Sequence, residues 1–472
     1  MISDVVFKNP AVLDDRTALK TDTEEITYGE FKKQIRTIAG KLLSLSCRPG
    51  DRILIWMNNS KEQLVSYFAV NLIGCVAVLA DTKFKKEMED IISDNRIKLL
   101  LTTRKQFIQL CVKNVPEVFF IEKEMLKEEE SMKLDSYLAA QDFHKEQLST
   151  VLYTSGSTGK PKGVLNSHEN LEEALKNYAE TMDFTSEDKF IGVAPFFHSY
   201  AFDSCMLVAV YRGAQLLLMS NFVPAKVLRV IQEEKATVLH GVPFMFHLMS
   251  QQLDLASYDL SSLRHCISAG SRLDQECLRK FYRQTGIVVH QEYGSTETGT
   301  IAINLSNDVE NAVKYVGKPL HNVNCKLIPY DEEGNKTLMI ISKGLSLGYI
   351  GEKPFERDGY LTQDLCVIED GYICIVGRAD RLINITGLKV NPLEVERCLK
   401  EHPDIKDAFV KGVKSGNFGE MVEAVLVKKR ESLTEQEVES YCKQKLAAYK
   451  VPIVITWVKE ITKSGLGKSR YL

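Results

Sequence analysis

An α/β fold, with a large N-terminal domain over residues 1–378 and a small α+β C-terminal domain over 379–472, is what this sequence predicts. Three observations carry the prediction. Up to about residue 375, strand-like apolar runs alternate with amphipathic stretches, which is how an α/β protein reads. Near Asp380 the pattern changes to strands around one capped helix, a unit of about 90 residues and of ordinary domain size. Between these, an apolar run ends in the segment from Tyr153 to Val164, with three glycines, four Ser/Thr hydroxyls and two lysines in twelve residues. A chain of 472 residues accommodates two or three domains.

Taken in order, Ile53-Leu54-Ile55-Trp56-Met57 and Leu99-Leu100-Leu101-Thr102 are strand candidates. The charged run Glu124 to Lys133 reads as a solvated helix or loop. Between Asn170 and Met182, apolar Leu171, Ala174, Leu175, Tyr178 and Met182 recur at spacings of three and four, which predicts a helix with Asn170 and Glu173 capping its start. The glycine-rich segment then lies between a strand ending near Thr154 and this helix. Beyond Asp380, Phe409 to Val413 and Ala424 to Val427 read as strands, Thr434 and Glu437 as a capping box, and Ile453 to Val458 as a last strand after Pro452.

Composition narrows the function. With 44% hydrophobic and 26% charged residues, the chain has material for large cores. Sixty basic and 63 acidic residues give a net charge of -3, which offers no overall attraction to nucleic acid or an anionic membrane. No apolar run reaches spanning length, and Met1-Ile2-Ser3-Asp4 does not open a signal peptide, so a cytoplasmic protein, monomer or homodimer, is expected. Eleven cysteines without a C-x-x-C pair read as buried free thiols rather than disulfides or a zinc site.

The twelve-residue segment is built to hold phosphate: glycines let backbone N–H groups approach an anion, hydroxyls donate and lysines neutralise charge. It is not a Walker A loop, because two residues rather than four separate Gly156 from Gly159, and Pro161 after Lys160 disfavours helix. A mobile linker has a similar composition. Downstream, His290-Gln291-Glu292-Tyr293-Gly294-Ser295-Thr296-Glu297-Thr298-Gly299 offers an aromatic face, a glycine turn and a carboxylate, a set suited to stacking adenine and coordinating magnesium near a triphosphate. A polar turn between strands is the alternative.

Together these segments resemble the signatures of the adenylate-forming enzymes, among which the acyl- and aryl-CoA ligases of the coumarate type are the nearest in pattern. The likeness runs through Ser268-Ala269-Gly270-Ser271, Tyr360-Leu361-Thr362-Gln363-Asp364, Gly377-Arg378-Ala379-Asp380 and Gly465-Leu466-Gly467-Lys468, in the family's order and over nearly the whole chain. It implies a multi-subdomain N-terminal domain and a mobile C-terminal lid. It also implies that Thr154, Ser155, Gly156, Ser157, Thr158, Gly159 and Lys162 hold the ATP phosphates and that Ala269, Gly270, Ser271, Tyr293 and Gly294 contact the adenine side. Thr296 would bind the α-phosphate, Glu297 Mg2+, Asp364 both ribose hydroxyls and Arg378 a ribose oxygen. A carboxylate suits the ribose because it accepts two hydrogen bonds at once. Lys468 would be catalytic: attack of a carboxylate on the α-phosphate builds negative charge, and a fixed ammonium stabilises that transition state more than the ground state. Asp380 corresponds to the hinge. Lys389 stands where many relatives have arginine or glutamine, which leaves its phosphate or acyl-site role open.

For the acid, Pro195-Phe196-Phe197-His198-Ser199-Tyr200-Ala201-Phe202-Asp203-Ser204 is similar to the CoA-ligase pattern, in which the aromatic after the histidine lines the acid pocket. His198, Tyr200, Ser204, His240, Gly241, Val242, Pro243 and Phe244 are then pocket candidates; the alternative is a buried helix start. Phe202-Asp203 imitates the aspartate with which peptide-synthetase domains hold a substrate amine, but the spacing from Asp203 to Gly213 fits the CoA ligases better. The expected reaction joins an aryl or acyl acid, through acyl-AMP, to CoA or a carrier-protein phosphopantetheine. Amino-acid adenylation and a non-catalytic nucleotide-binding module are the alternatives.

Overall fold

A computed structural model describes the chain apart from residues 85–86, 111, 113–115, 128–132, 155–160, 333, 357, 386–387, 415–419 and 462–472, and the side chains of Glu124, Lys127, Asn384 and Lys389. The protein is mixed α/β. It divides into two compact units, one over 1–313, 319–324 and 341–360, the other over 314–318, 325–340 and 361–472.

The first unit holds two large sheets. Its strands are β1 (Thr17–Lys20), β2 (Glu25–Thr27), β3 (Arg52–Ile55), β4 (Val76–Leu79), β5 (Leu99–Thr102), β6 (Glu117–Phe120), β7 (Leu148–Thr154), β8 (Lys162–Ser167), β9 (Lys189–Gly192), β10 (Gln215–Leu218), β11 (Val238–Gly241), β12 (His265–Ser268), β13 (His290–Ser295), β14 (Gly299–Ile303) and β15 (Gly348–Tyr349). One sheet has the order β15-β8-β7-β4-β3-β5-β6; in the other, β14-β13-β12-β11-β9-β10-β1-β2 lie side by side. Strands β4, β3 and β5 pair in parallel and are largely apolar, as strands covered on both faces are: β4 and β5 are buried at every residue. Helix α1 (Lys61–Leu72), buried at all twelve positions, is one of the covers.

Helix α2 (His168–Thr181) buries Leu171, Leu175 and Tyr178, the face its spacing predicts. Its start differs from the sequence expectation. The cap is Ser167, whose Oγ accepts from the backbone N–H of Asn170 at 3.1 Å, while the Asn170 side chain reaches back to Ser167 N–H. A strand also intervenes between the glycine-rich segment and this helix: β8 pairs antiparallel with β7, Thr154 opposite Lys162, so the segment joins a hairpin. Ser167 caps because it is where β8 ends, three residues ahead of Asn170.

Register places the motifs. In parallel β11 and β12, Gly241 lies opposite Ser268, and Ser268 lies opposite Gln291 of β13. The residues that follow, Val242-Pro243, Ala269-Gly270-Ser271 and the Tyr293–Glu297 stretch, therefore emerge at one edge, the carboxyl ends of parallel strands where open α/β sheets bind ligands.

In the second unit, β16 (Tyr360–Glu369) and β17 (Tyr372–Arg378) form an antiparallel hairpin with Asp364 opposite Arg378. Antiparallel β18 (Ile405–Lys414) and β19 (Glu420–Lys428), with β20 (Val454–Trp457) parallel to β19, pack on α3 (Pro392–Lys400) and α4 (Glu435–Lys445). Val395, Leu399, Val410, Val422, Leu426 and Val438 form the core, and the Thr434–Glu437 capping box opens α4 as its sequence predicts.

Candidate active site

The β13–β14 hairpin carries the first group of candidates. Gly294 has no room for a side chain, since a Cβ there would meet the carbonyl oxygen of Gly299 at 2.3 Å. This close approach turns the chain at Thr296 and Glu297. Tyr293 is buried. Glu297 Oε1 accepts from the Tyr349 hydroxyl at 2.7 Å, and its backbone carbonyl accepts from Ser346 N–H at 2.9 Å. A half-buried carboxylate with one oxygen already held fits a hard cation through the other, so Glu297 is chemically suited to Mg2+. Lys162, the first residue of β8, has its Nζ 2.8 Å from Glu352 and 4.5 Å above the Tyr349 ring. At the end of β12, Ala269 is buried and Gly270 takes φ +85°, the left-handed region that glycine tolerates.

The acid-segment candidates lie on a helical turn, Ser199–Ala201, with His198 at its N-cap, which runs into a π-helix at Phe202–Leu207. Single π turns are frequent at functional sites because they re-aim side chains. Ser199 Oγ lies 3.0 Å from Thr296 Oγ1, so this segment and the β13–β14 turn touch. The Tyr200 hydroxyl donates to the Ile267 carbonyl at 3.2 Å, and its ring lies 5.7 Å from that of His240. Gly241 also excludes a side chain, because a Cβ would come within 2.9 Å of the Phe246 ring; Val242 then caps a helix that begins at Pro243.

Beneath Tyr200, the pocket candidates Ser204 and His240 belong to a polar cluster built around Glu292 and Tyr178, which sequence reasoning did not assign. Glu292, 8% exposed, accepts hydrogen bonds from the hydroxyls of Tyr178 at 2.8 Å, Ser204 at 2.8 Å and Thr300 at 2.7 Å. Burial raises its carboxyl above the ordinary range, and the three donors oppose that rise. Burial pushes His240 down to about 3, so its imidazole is neutral. The Tyr178 hydroxyl gives its one proton to Glu292 and therefore accepts from His240 Nε2–H, 3.1 Å away; this leaves Nδ1, which has no partner among the described residues, as a bare acceptor. Asp203 is pushed up to about 8, by burial first and by the charge of Glu292 second. Its Oδ1 is buried without a partner among the described residues.

In the second unit, Arg378 donates to Asp364 Oδ1 at 3.2 Å and forms a two-pronged pair with Asp380 at 2.9 Å on each prong. That pairing holds the Asp380 carboxyl below its ordinary value. Asp380 sits in a 3-10 turn, Ala379–Arg381, directly after β17. Lys389 lies in a short strand, Leu388–Val390. Ser155, Gly156, Ser157, Thr158, Gly159 and Lys468 lie outside the described residues.

A family model described as AMP-binding enzyme matches residues 6–350, and one described as AMP-binding enzyme C-terminal domain matches residues 394–468. The chain belongs to the AMP-binding enzyme family. This AMP-binding enzyme is 28% identical over 469 residues to a 2-succinylbenzoate–CoA ligase of Bacillus cereus, a match covering 96% of this chain and 94% of that protein. It is 26% identical over 521 residues to a long-chain-fatty-acid–CoA ligase of Bacillus subtilis, covering 99% and 92%. Among solved structures, ATP-bound MatB from Rhodopseudomonas palustris superposes with a TM-score of 0.86 at 26% identity, covering 99% of this chain and 97% of that one. Among the described residues, no helix of this AMP-binding enzyme is long and apolar enough to cross a membrane.

Three residues of the AMP-binding enzyme's site escaped the sequence. Ser199 and Glu292 stand inside quoted motifs, but hydroxyls and carboxylates there give no sign of which neighbour they meet. Tyr178 reads as one more apolar position on the buried face of α2. Only the fold, which sets α2 against β11 and β13, shows that its hydroxyl bridges Glu292 and His240.

Proposed function

We propose that this chain converts an aryl or acyl carboxylic acid to its thioester in two half-reactions, with the acid and the α-phosphate meeting where Ser199 touches Thr296. The reaction class follows from the family: the protein is an AMP-forming acid–thiol ligase that uses ATP, Mg2+ and CoA. The 3.0 Å contact between the two hydroxyls carries the local assignment, because it joins the segment that would seat the acid to the turn that would seat the phosphate.

In the first half-reaction a carboxylate oxygen bonds to the α-phosphorus and the α–β anhydride breaks, releasing pyrophosphate. Thr296 donates to the α-phosphate, Lys162 and the Ser/Thr hydroxyls from Thr154 to Thr158 hold the outer phosphates, and Lys468 offsets the charge that develops. Glu297 would hold Mg2+, which supplies further charge neutralisation at the phosphates. Asp364 accepts from the ribose hydroxyls with Arg378 beside it. In the second half-reaction the thiol sulfur attacks the acyl carbon, its proton leaves, and AMP departs. The acceptor thiol is that of CoA; a carrier-protein pantetheine is its chemical equivalent.

Asp203 disfavours the amino-acid reading. An aspartate that holds an amine does so as an anion, whereas burial and Glu292 push this carboxyl up to about 8. A pyrophosphate-exchange screen over aryl, fatty, short-chain and amino acids, followed by CoA with the best acid, tests the assignment. Exchange and thioester formation with an aryl or acyl acid are expected. Preference for an amino acid that Asp203→Ala abolishes would overturn the acid class, and exchange with no acid would favour a non-catalytic nucleotide binder.

Asp380 is the hinge in this reading. Proline there fixes φ and removes an N–H, so Asp380→Pro is expected to impair thioester formation from supplied acyl-AMP more than adenylation. Equal loss of both half-reactions would remove the hinge role.

A further inference from the structure

The segment 344–350 touches both halves of the phosphate-binding apparatus of the first unit. Toward β8, Leu347 N–H donates to the Leu165 carbonyl at 2.8 Å and Ile350 N–H to that of Gly163 at 2.9 Å, with Gly348 and Tyr349 paired to Leu165 and Val164 as β15. Toward the β13–β14 turn, Ser346 N–H donates to the Glu297 carbonyl and the Tyr349 hydroxyl to Glu297 Oε1. The segment thus ties the strand that begins at Lys162 to the turn that carries Thr296 and Glu297.

Tyr349 does this with one side chain. Its hydroxyl holds one carboxylate oxygen of Glu297 at 2.7 Å, which anchors that end of the carboxyl group, and its ring face lies 4.5 Å from Lys162 Nζ, a cation–π contact. Two charged groups of opposite sign are therefore oriented from one rigid aromatic that has only two side-chain torsions. Backbone room supports the arrangement: a Cβ on Gly163 would lie 2.9 Å from Ile350, so β8 and the segment are in close contact.

We propose that Tyr349 is a positioning residue that presents the metal carboxylate Glu297 and the phosphate lysine Lys162 to a metal–nucleotide complex as one preorganised unit. The inference rests on the proposed roles of Glu297 and Lys162. It assigns Tyr349 a part in binding the metal-bound form of ATP rather than in holding the fold or in contacting the substrate. The hydroxyl is the part that matters for the metal: phenylalanine keeps the ring over Lys162 and releases the carboxylate, along with the hydroxyl's interaction with Tyr360.

The test uses the full chain, ATP, and Mn2+ as a paramagnetic stand-in for Mg2+. Binding of Mn2+–ATP is followed by electron paramagnetic resonance and binding of metal-free ATP by calorimetry in EDTA, with no acid present. Loss of one hydrogen bond to a charged group corresponds to about tenfold in affinity. Tyr349→Phe is therefore expected to weaken Mn2+–ATP binding by about tenfold and to change metal-free ATP binding by less than about twofold. Glu297→Gln is expected to weaken Mn2+–ATP at least as much, and the double variant to bind no more weakly than Glu297→Gln alone. Parent-like Mn2+–ATP binding by Tyr349→Phe, or equal losses with and without metal, overturns the positioning role while leaving the reading of Glu297 intact. Parent-like binding by Glu297→Gln would instead remove the metal assignment of Glu297, and the role of Tyr349 with it.

Discussion

Lys468→Ala is expected to slow adenylation by at least about a hundredfold, while thioester formation from supplied acyl-AMP stays within about tenfold of the parent. The expectation rests on charge. When the acid attacks ATP, the α-phosphorus gains an oxygen ligand before pyrophosphate has left, and the negative charge around it peaks. An ammonium aimed at that point acts only in that transition state, and loss of one preorganised donor typically costs about 2.7 to 4 kcal/mol. Thiol attack on acyl-AMP builds its charge at an acyl carbonyl instead, so the lysine has no equivalent task there. The match to the C-terminal family model spans residues 394–468 and so extends to this lysine. Single-turnover measurement of the two half-reactions separates the outcomes. Near-normal adenylation by a folded Lys468→Ala protein would take the C-terminal domain out of the catalytic step.

How much of this was legible in the sequence depends on whether a feature is local. The capping box at Thr434 and Glu437 needs only residues three apart, and it forms as predicted. The buried face of α2 needs only helical periodicity, and Leu171, Leu175 and Tyr178 lie on it. The start of α2 was misplaced because Asn170 is itself a good cap, and only the pairing of β8 with β7 brings Ser167 into that position first. The Glu292 cluster was illegible for a different reason. Glu292 takes its three donors from Tyr178 of α2, Ser204 of the π-helix and Thr300 of the facing hairpin strand β14, and His240 of β11 joins through Tyr178, so two helical segments and two strands must be folded together before the cluster exists. Motif spacing identifies a turn that approaches phosphate, because such a turn is made of consecutive residues. It does not identify what lies below the acid segment, because that floor is assembled from helix and strand residues that only the fold brings together.

Asp203 offers the sharper test of that floor. A carboxyl whose pKa is raised on folding binds protons more tightly in the folded than in the unfolded chain. Its contribution is therefore complete below the unfolded value of 3.8 and is lost as pH rises toward about 8. Each pH unit in that window corresponds to about 1.4 kcal/mol, an upper bound that solvent contact of this half-buried residue and its coupling to Glu292 reduce to a few kcal/mol in total. Asp203→Asn keeps the shape and cannot ionise. The variant is expected to match the parent near pH 4 and to exceed it by a few kcal/mol near pH 8, measured as the difference in urea unfolding between the two proteins at each pH, so that carboxylates common to both cancel. The sign also bears on the substrate. A difference that does not change with pH would mean that Asp203 is already ionised in the folded protein at neutral pH. An ionised aspartate beside Tyr67, Phe202 and Glu292 would be a ready partner for a substrate amine, and the amino-acid reading would then displace the aryl or acyl one. A difference that grows with pH leaves a neutral carboxyl at the floor, which an uncharged ring or chain can approach without a counter-ion.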